Sequence, residues 1–348
     1  MTNNAVAEGP SRSFIVHTST SQIGGAEASL LELFHNASET PFFILPGEGA
    51  LCQALSQRGI SYKILPWPKG LAKMTQSNWM ALPLVLITLF PYLLRLKRET
   101  AFSQTILSSG FKSHCTCLLL SAWMGPRLLF DIRDFLRPKW IRKGFACASR
   151  LFGNRIRTNS KRVGSDYPES QFVYPIVKTH REVVFKRGQT GKRVIAHLAF
   201  FAPYKGQDLF LDCVKTLVDA GLDAEFWMIG DVIYPAKFYS EYGKKILEKI
   251  EKLGLVNHVK MLGRIHGGEN IQSLLEQVDL LLHCTREPEP YGRAVMEALL
   301  CGCQVICHRE SGVCEVAQVS LDFPAWVNPI KALLGPNYIQ LHLNEIKI

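Results

Sequence analysis

The sequence lacks an apolar run long enough to cross a membrane, and we expect no signal peptide at its N-terminus. The longest apolar stretch lies within residues 79–98 and is nearly uninterrupted for about 16 residues, whereas a spanning helix needs about 20. The N-terminal residues MTNNAVAEGPSRS are polar and do not resemble a signal peptide. We therefore expect a cytoplasmic protein whose ten cysteines are free thiols.

The cysteines also lack the spacing of a standard zinc site. The densest group, Cys301, Cys303 and Cys307 with His308, invites a zinc interpretation. Its spacing matches no standard zinc finger, and a buried strand with alternating small apolar residues explains the same pattern.

Nucleic-acid-binding features are missing too, although the chain is basic. It carries 40 Lys and Arg against 30 Asp and Glu, a net charge of +10, which favours an anionic partner. No basic helix has the regular spacing that reads bases, and no aromatic RNA-binding motif occurs. Anionic lipid and phosphorylated substrates are the stronger candidates, and we expect no nucleic-acid partner.

What the sequence does contain is an alternation of short apolar strands and helical patterns. At 348 residues and 47% hydrophobic content, the chain suits a globular protein of about two domains. The alternation predicts an α/β fold with parallel sheets covered on both faces. A polar segment at 179–192 interrupts it before a second alternating set begins. We therefore predict two domains, residues 1–180 and 181–348.

The apolar segment at 79–98 admits two interpretations. One is a helix packed under the N-terminal domain. The other is a helix partly immersed in a membrane surface, with aromatic rings at the interface and basic side chains on anionic headgroups. The rings would be Trp79 and Tyr92, and the basic side chains Arg95, Lys97 and Arg98.

Glycine and charged residues follow several predicted strands. Gly24 and Gly25 follow the first, and Lys205 and Gly206 follow another. Ligands of open parallel sheets bind at the carboxyl ends of the strands, where glycine permits close backbone approach and lysine meets phosphate as a point charge. Taken singly, the glycine pair is equally a structural turn, and Lys205 a solvated loop residue. Two further strands end alike, at Gly230 and Asp231 and at Gly263 and Arg264.

Three carboxylates surround a predicted helix start in EPEPYGRAVMEALL, residues 287–300. The following prolines keep Glu287 and Glu289 extended and outside the helix. Glu297 then lies about one turn inside a helix with mostly apolar neighbours. A buried carboxylate needs a dedicated partner, and either a pair of ligand hydroxyls or a structural arginine would satisfy it.

The run from Glu289 through Tyr291, Gly292 and Arg293 to Glu297 resembles the motif of the retaining glycosyltransferases of family four, the group 1 glycosyl transferases. GGAEASLLEL and the strand ends PYKGQD, MIGD and MLGR follow in the family's order. The resemblance implies the GT-B fold, two Rossmann-like domains facing across a cleft. The N-terminal domain would be the acceptor side, and the C-terminal domain would bind the nucleotide sugar.

The resemblance also implies roles for single residues. Glu297 would bind the ribose, Glu289 the donor sugar and Lys205 the diphosphate leaving group, so that Glu289 and Lys205 are the catalytic residues. Glu287 would be a solvated bystander. Further donor-binding positions are Gly24, Gly25, Gly206, Gly230, Asp231, Arg264, Ile265, Pro290, Tyr291, Gly292 and Arg293. The acceptor-side positions are Lys112, Arg133 and Asp134.

Several positions depart from the family's pattern. Phe200 replaces a usual arginine, which removes one diphosphate cation unless Arg264 or Arg293 compensates. Arg133 replaces a usual histidine and Gln304 a proline. The segment after Glu315 is shorter than usual, so we expect an abbreviated final helix.

Together these features predict a retaining, metal-independent glycosyltransferase that needs no cofactor. Its co-substrate would be a UDP- or GDP-sugar, and its acceptor a lipid-linked, polysaccharide or other hydroxyl compound at the inner face of the cell membrane. Two alternatives stay open: a catalytically silent relative that acts as a binding or scaffold subunit, and a sugar-nucleotide epimerase with the same architecture.

Overall fold

A computed structural model describes residues 13–35, 40–72, 82–136, 139–184, 186, 191–232, 237–320 and 322–342. The chain divides into two compact units, Met1–Ile176 and Val177–Ile348. Each unit holds one sheet of seven strands. The boundary that the sequence suggested, after residue 180, lies just beyond this division.

The N-terminal unit alternates strands and helices. Its strands are β1 (Phe14–Thr18), β2 (Phe42–Leu45), β3 (Tyr62–Ile64), β4 (Thr105–Ser109), β5 (Leu128–Ile132), β6 (Arg155–Thr158) and β7 (Gln171–Phe172). Its helices are α1 (Gly25–Leu33), α2 (Ala50–Gln57), α3 (Lys69–Ala72), α4 (Leu82–Glu99), α5 (Phe111–Leu119), α6 (Ser121–Met124), α7 (Lys139–Phe152) and α8 (Lys161–Gly164). The strands are parallel, in the order β3-β2-β1-β4-β5-β6-β7.

Both faces of this sheet are buried, as the sequence predicts. Successive side chains of a strand point to opposite faces. On β1, Ile15 and Val16 belong to two different hydrophobic clusters, and on β2 the same holds for Ile44 and Phe43. Parallel strands need crossover connections, and helices supply them here while covering the two apolar faces.

The C-terminal unit repeats this plan and then departs from it. Its strands are β8 (Arg193–Leu198), β9 (Ala224–Ile229), β10 (Val259–Gly263), β11 (Leu280–Leu282), β12 (Gln304–His308), β13 (Gln318–Ser320) and β14 (Tyr338–His342). Its helices are α9 (Gln207–Asp219), α10 (Lys237–Lys252), α11 (Gly268–Leu275), α12 (Arg293–Leu300) and α13 (Lys331–Leu334). The order is β10-β9-β8-β11-β12-β14-β13, with the first five strands parallel.

The sequence did not reveal the antiparallel edge of this second sheet. β14 pairs antiparallel with β12, and β13 pairs antiparallel with β14. The prediction of a purely parallel second sheet was therefore wrong at this edge. Antiparallel strands need no crossover helix, so an alternation of strands and helices along the sequence does not predict them. The described residues after Glu315 form β13, a 3-10 helix (Ala325–Ile330), α13, a short 3-10 turn and β14.

Helix α4 covers the described part of the segment predicted to pack or to meet a membrane. Leu89, Tyr92 and Leu96 are buried in the core of the N-terminal unit, at the spacing of one helix face. Phe90 and Leu94 on another face are 59% and 37% exposed. The helix thus packs through one side and presents apolar side chains on the other.

Tyr92 does not lie where the membrane interpretation placed it. Its ring is 4% exposed, and its hydroxyl lies 2.8 Å from His17 Nε2 in the core. The prediction of Tyr92 at an interface was wrong because its polar end finds a buried partner. Trp79 lies outside the described residues. Across the described parts of the chain, no helix combines the length and the apolar character needed to cross a bilayer.

Candidate functional site

The strand order of the C-terminal sheet reverses between β8 and β11. After β8 the chain continues to β9 and β10 on one side, whereas β11 and β12 lie on the other side of β8. The loops that leave two such strands diverge, and the crevice between them is where open α/β sheets bind ligands. Lys205 lies in the loop after β8, and Glu289 lies in the loop after β11.

Close backbone packing positions Lys205. It ends a 3-10 helix, Pro203–Lys205, and Gly206 then adopts a left-handed φ of 72° before α9. A Cβ at Gly206 would lie 1.7 Å from the carbonyl oxygen of Cys284, so only glycine fits. Lys205 Nζ also lies 5.0 Å from the centre of the Phe200 ring. The aromatic residue at the usual arginine position therefore helps to hold this lysine through a cation–π contact.

Hydrogen bonds from the segment after β12 hold the loop that carries Glu289. The amide of Glu289 donates to Ser311 Oγ at 3.1 Å, and the amide of Gly312 donates to the carbonyl of Glu289 at 3.0 Å. Gly292, with a φ of 101°, then turns the chain into α12. The helix begins at Arg293, within the stretch where the sequence predicted a helix start.

The two predicted catalytic residues are in direct contact. Lys205 Nζ lies 2.5 Å from Glu289 Oε1, and their side chains are 12% and 15% exposed. Burial alone would raise the pKa of the Glu289 carboxyl, but the adjacent Lys205 ammonium is the largest opposing influence, and the pKa lies below its usual range. The pair is thus an ionised carboxylate and an ammonium at the reversal point of the sheet.

Two histidines next to this pair were not predicted from the sequence. His283 is buried, and its Nε2 lies 3.5 Å from Glu289 Oε1. His197 stacks on His283 with 6.0 Å between ring centres. Burial is the main cause that lowers the pKa of His197 to about 3. A signal did exist for His283, because it is the polar residue that ends the apolar run of β11, whereas His197 within β8 looks like any core residue.

Glu297 lies on the first turns of α12 and already has a partner. Its Oε1 accepts a hydrogen bond from Arg293 Nε at 2.7 Å, so the structural arginine that the sequence left open is present. Whether Arg293 also compensates for the arginine replaced by Phe200 stays a prediction. The spacing of the two residues, four apart on a helix, could have predicted this ion pair. Glu297 also borders a small cavity of about 20 Å³, with His180 and Gly268.

The remaining donor-side glycines tie neighbouring strand ends together. A Cβ at Gly230 would lie 2.0 Å from the carbonyl oxygen of Ala199, and the Gly230 amide donates to the carbonyl of Gly263 at 2.8 Å. The amide of Phe201 donates to the carbonyl of Asp231 at 3.0 Å. Arg264 and Ile265 directly follow β10. The ends of β8, β9 and β10 thus share one edge with Lys205.

In the N-terminal unit, the glycine turn begins α1. The amide of Gly24 donates to Glu27 Oε2 at 3.0 Å, and burial raises the pKa of that carboxyl. A Cβ added at Gly25 would meet no atom within 4 Å, so packing within the unit does not require glycine there. The donor role assigned to Gly24 and Gly25 stays a prediction.

The predicted acceptor-side residues lie after β4 and β5. Arg133 Nε bonds to Asp131 Oδ2 at 2.6 Å, and Arg157 Nε from β6 bonds to the other carboxylate oxygen at 2.9 Å. Burial opposes ionisation of Asp131, but the two guanidinium groups outweigh it and lower its pKa. Asp134 is exposed, and burial lowers the pKa of Lys112 on α5. The sequence did not reveal Asp131 or Arg157 because their proximity depends on strand pairing.

The described residues contain no group of three His, Cys, Asp or Glu side chains that could hold a metal ion. The zinc interpretation of the cysteine-rich segment is therefore not supported. Cys303 instead donates its thiol hydrogen to the carbonyl of Leu275 at 3.2 Å, and Cys307 is buried within β12.

Residues 180–319, which carry the Lys205 and Glu289 loops, match the family model described as glycosyl transferases group 1. That segment is therefore similar to the group 1 glycosyl transferase domain. No curated protein sequence matches the chain significantly.

Solved structures match nearly the whole chain at low sequence identity. Anabaena HepE, in complex with UDP and glucose, has a TM-score of 0.70 at 19% identity, with 92% of this chain and 88% of that chain covered. A sucrose-phosphate synthase from Thermosynechococcus elongatus has a TM-score of 0.64 at 13% identity, with 84% and 80% covered. A glycosyltransferase from Rickettsia africae has a TM-score of 0.60 at 16% identity, with 87% and 81% covered. These matches show that the fold is GT-B.

Proposed function

We propose that the protein is a glycosyltransferase whose donor is a nucleotide-diphosphate sugar. The observation that carries this proposal is the Lys205–Glu289 pair, which lies in the loops on either side of the sheet reversal within a group 1 domain. The structures of Anabaena HepE contain UDP, UDP with glucose, and UDP-glucose. We extend that ligand class to the C-terminal unit of this chain, and we assign acceptor binding to the N-terminal unit.

The chemistry of the pair suits departure of a diphosphate. Negative charge develops on the leaving group as the glycosidic bond breaks, and a preorganised ammonium beside it lowers the barrier. Lys205 supplies that charge, and the backbone amides at the start of α12 supply partial positive charge. Because these groups stabilise the leaving group, we propose a reaction that needs no metal ion. Glu289 would accept hydrogen bonds from donor-sugar hydroxyls, and Glu297 from the ribose.

We further propose that the sugar keeps its anomeric configuration, as the family-four motif implies. The measurement is the NMR coupling constant of the anomeric proton in the isolated product. A product with the configuration of the donor sugar supports retention, and an inverted product contradicts it.

The donor class is tested with a panel of UDP-, GDP- and ADP-sugars. We expect at least one to raise the melting temperature of the protein and to be converted to free nucleotide when hydroxyl acceptors are added. Absence of binding across the panel contradicts the proposal. Binding without nucleotide release would favour the silent scaffold subunit, and a new sugar nucleotide with one inverted hydroxyl would favour the epimerase.

We propose a lipid-linked or polysaccharide acceptor at the cytoplasmic face of the cell membrane, with peripheral binding through α4. The support is the exposed stripe of Phe90 and Leu94 beside exposed Arg95 and Arg98, because basic and apolar side chains together bind anionic membrane surfaces. Exchange of Arg95, Lys97 and Arg98 for Gln should reduce sedimentation with phosphatidylserine vesicles. The same exchange at the exposed residues Lys244, Lys245 and Lys252 is the control, and equal sedimentation of both variants contradicts membrane binding through α4.

A further inference from the structure

One ammonium group has two acidic partners in the proposed site. Lys205 Nζ already contacts Glu289 Oε1, and the proposed function, on which this inference rests, also places it at the diphosphate. The charges of Lys205 and Glu289 cancel. A bound diphosphate brings further negative charge beside a largely buried carboxylate, and like charges in such a site disfavour ionisation. An additional positive charge close to Glu289 would favour its ionised form in the complex.

His283 is placed to carry that charge. Its Nε2 lies 3.5 Å from the same Glu289 oxygen that contacts Lys205. The His283 side chain is 3% exposed, and neither ring nitrogen has a hydrogen-bond partner among the described residues. Buried polar groups are nearly always hydrogen-bonded, so an unsatisfied imidazole needs an explanation beyond packing. A small approach to Glu289 would give a charge-assisted hydrogen bond of about 2.8 Å.

The other titratable groups around His283 do not compete for a proton near neutral pH. His197 from β8 stacks on the His283 ring, and burial and that proximity lower its pKa to about 3. Cys307 from β12 keeps its proton, because its hydrogen bond with Cys314 and its burial raise its pKa. Lys205, from the loop after β8, is the ammonium partner of Glu289. Histidine is the side chain that ordinarily changes charge near neutral pH.

We propose that His283 is a positioning residue that takes up one proton when a sugar nucleotide binds. The proton comes from solvent, and no covalent bond to the ligand changes. The imidazolium donates a hydrogen bond from Nε2 to Glu289 Oε1 while the Lys205 ammonium turns toward the diphosphate. Glu289 thereby stays ionised and in place to accept hydrogen bonds from the donor sugar.

Proton uptake has a defined sign and size. Because the protonated state of His283 is favoured in the complex, affinity for the sugar nucleotide increases as pH falls. For a single proton the change is about tenfold per pH unit at most. An affinity nearly independent of pH in this range would contradict proton uptake.

The test is isothermal titration calorimetry of the full chain with UDP-glucose, GDP-glucose and ADP-glucose. Sugar nucleotides are used because the terminal phosphate of a free nucleotide itself titrates at about pH 6. Buffers with different ionisation enthalpies report the number of protons taken up on binding. We expect the wild-type protein to take up as much as one proton and His283→Gln to take up none, with a flat pH profile. His258→Gln, at an exposed histidine, should behave like the wild type.

Each other outcome overturns the inference. A sugar nucleotide that binds the wild type without proton uptake contradicts it, and so does equal uptake by His283→Gln. If none of the three sugar nucleotides binds, the proposed function fails and the inference fails with it. Should His283→Gln not fold, NMR of the wild type labelled with ¹⁵N in its histidines gives the answer. One histidine should become an imidazolium at saturating sugar nucleotide, and unchanged histidine spectra contradict the proposal.

Discussion

Both units hold buried histidines, and these differ in how their ring nitrogens are satisfied. In the N-terminal unit, His17 Nδ1 lies 2.8 Å from Ser113 Oγ and His17 Nε2 lies 2.8 Å from Tyr92 Oη. In the C-terminal unit, both nitrogens of His283 and one of His197 have no partner among the described residues. Side chains of the N-terminal unit thus satisfy both ring nitrogens of His17, whereas His283 and His197 keep unused hydrogen-bonding capacity. Unused hydrogen-bonding capacity in the C-terminal unit agrees with the donor site that we propose there.

The buried carboxylates of the two units show a related difference. Asp131 is bonded by the guanidinium groups of Arg133 and Arg157. Glu289 has one ammonium, that of Lys205, and an imidazole at 3.5 Å. Asp131 thus has two cationic partners for one negative charge. Glu289 has one, and we propose that the same lysine also contacts the diphosphate. The clusters around Asp131 and Glu289 therefore differ in charge balance as well as in hydrogen bonding.

The largest expected effect on stability comes from Asp131→Asn. Removing the charge leaves two guanidinium groups without their carboxylate, which costs about 3–5 kcal/mol. The pKa of Asp131 is lowered in the folded protein, so its contribution is present above the ordinary pKa of about 3.9 and is lost as pH falls below it. Urea unfolding at several pH values measures both effects. A variant as stable as the wild type at neutral pH contradicts the structural role of this cluster.

Lys205→Ala tests the proposed donor site. Loss of one preorganised cation at the leaving group should lower kcat by about 100- to 1000-fold. Steady-state kinetics with the donor that binds best in the panel gives the value. Lys215→Ala, on the exposed side of α9, is the matched control and should keep full activity. A Lys205→Ala variant as active as this control would contradict the proposed role of Lys205 at the leaving group.

Ser113→Ala tests the hydrogen bonding of the buried His17. It leaves His17 Nδ1 buried without its hydroxyl partner, at a cost of about 1–3 kcal/mol in the free energy of unfolding. Ser165→Ala, at an exposed serine, should change stability by less than about 0.5 kcal/mol. We expect Ser113→Ala to act on stability, whereas His283→Gln should act on ligand binding. If both substitutions changed only stability, or both changed only ligand binding, the contrast between His17 and His283 would be wrong.

Much of the fold could be predicted from the sequence because apolar strands and amphipathic helices alternate along it. The loops with Lys205 and Glu289 could be located as well, since both follow apolar strands. The contact between these residues was not visible in the sequence, because it depends on β8 and β11 being neighbours. The same limit applies to Asp131 and Arg157. Strand adjacency is a property of the whole sheet and leaves no local pattern.

The most direct test of donor binding by the C-terminal unit compares Glu297 on α12 with Glu287 in the loop before that helix. Glu297 is bonded to Arg293 on α12, whereas Glu287 is exposed. Titration of Glu297→Ala and Glu287→Ala with UDP-, GDP- and ADP-glucose measures their affinity for the donor. We predict that Glu297→Ala loses about tenfold or more, since hydrogen bonds to a charged group are worth about 1.5–3 kcal/mol, and that Glu287→Ala binds like the wild type. Equal affinities of the two variants would contradict the assignment of this edge to the nucleotide sugar.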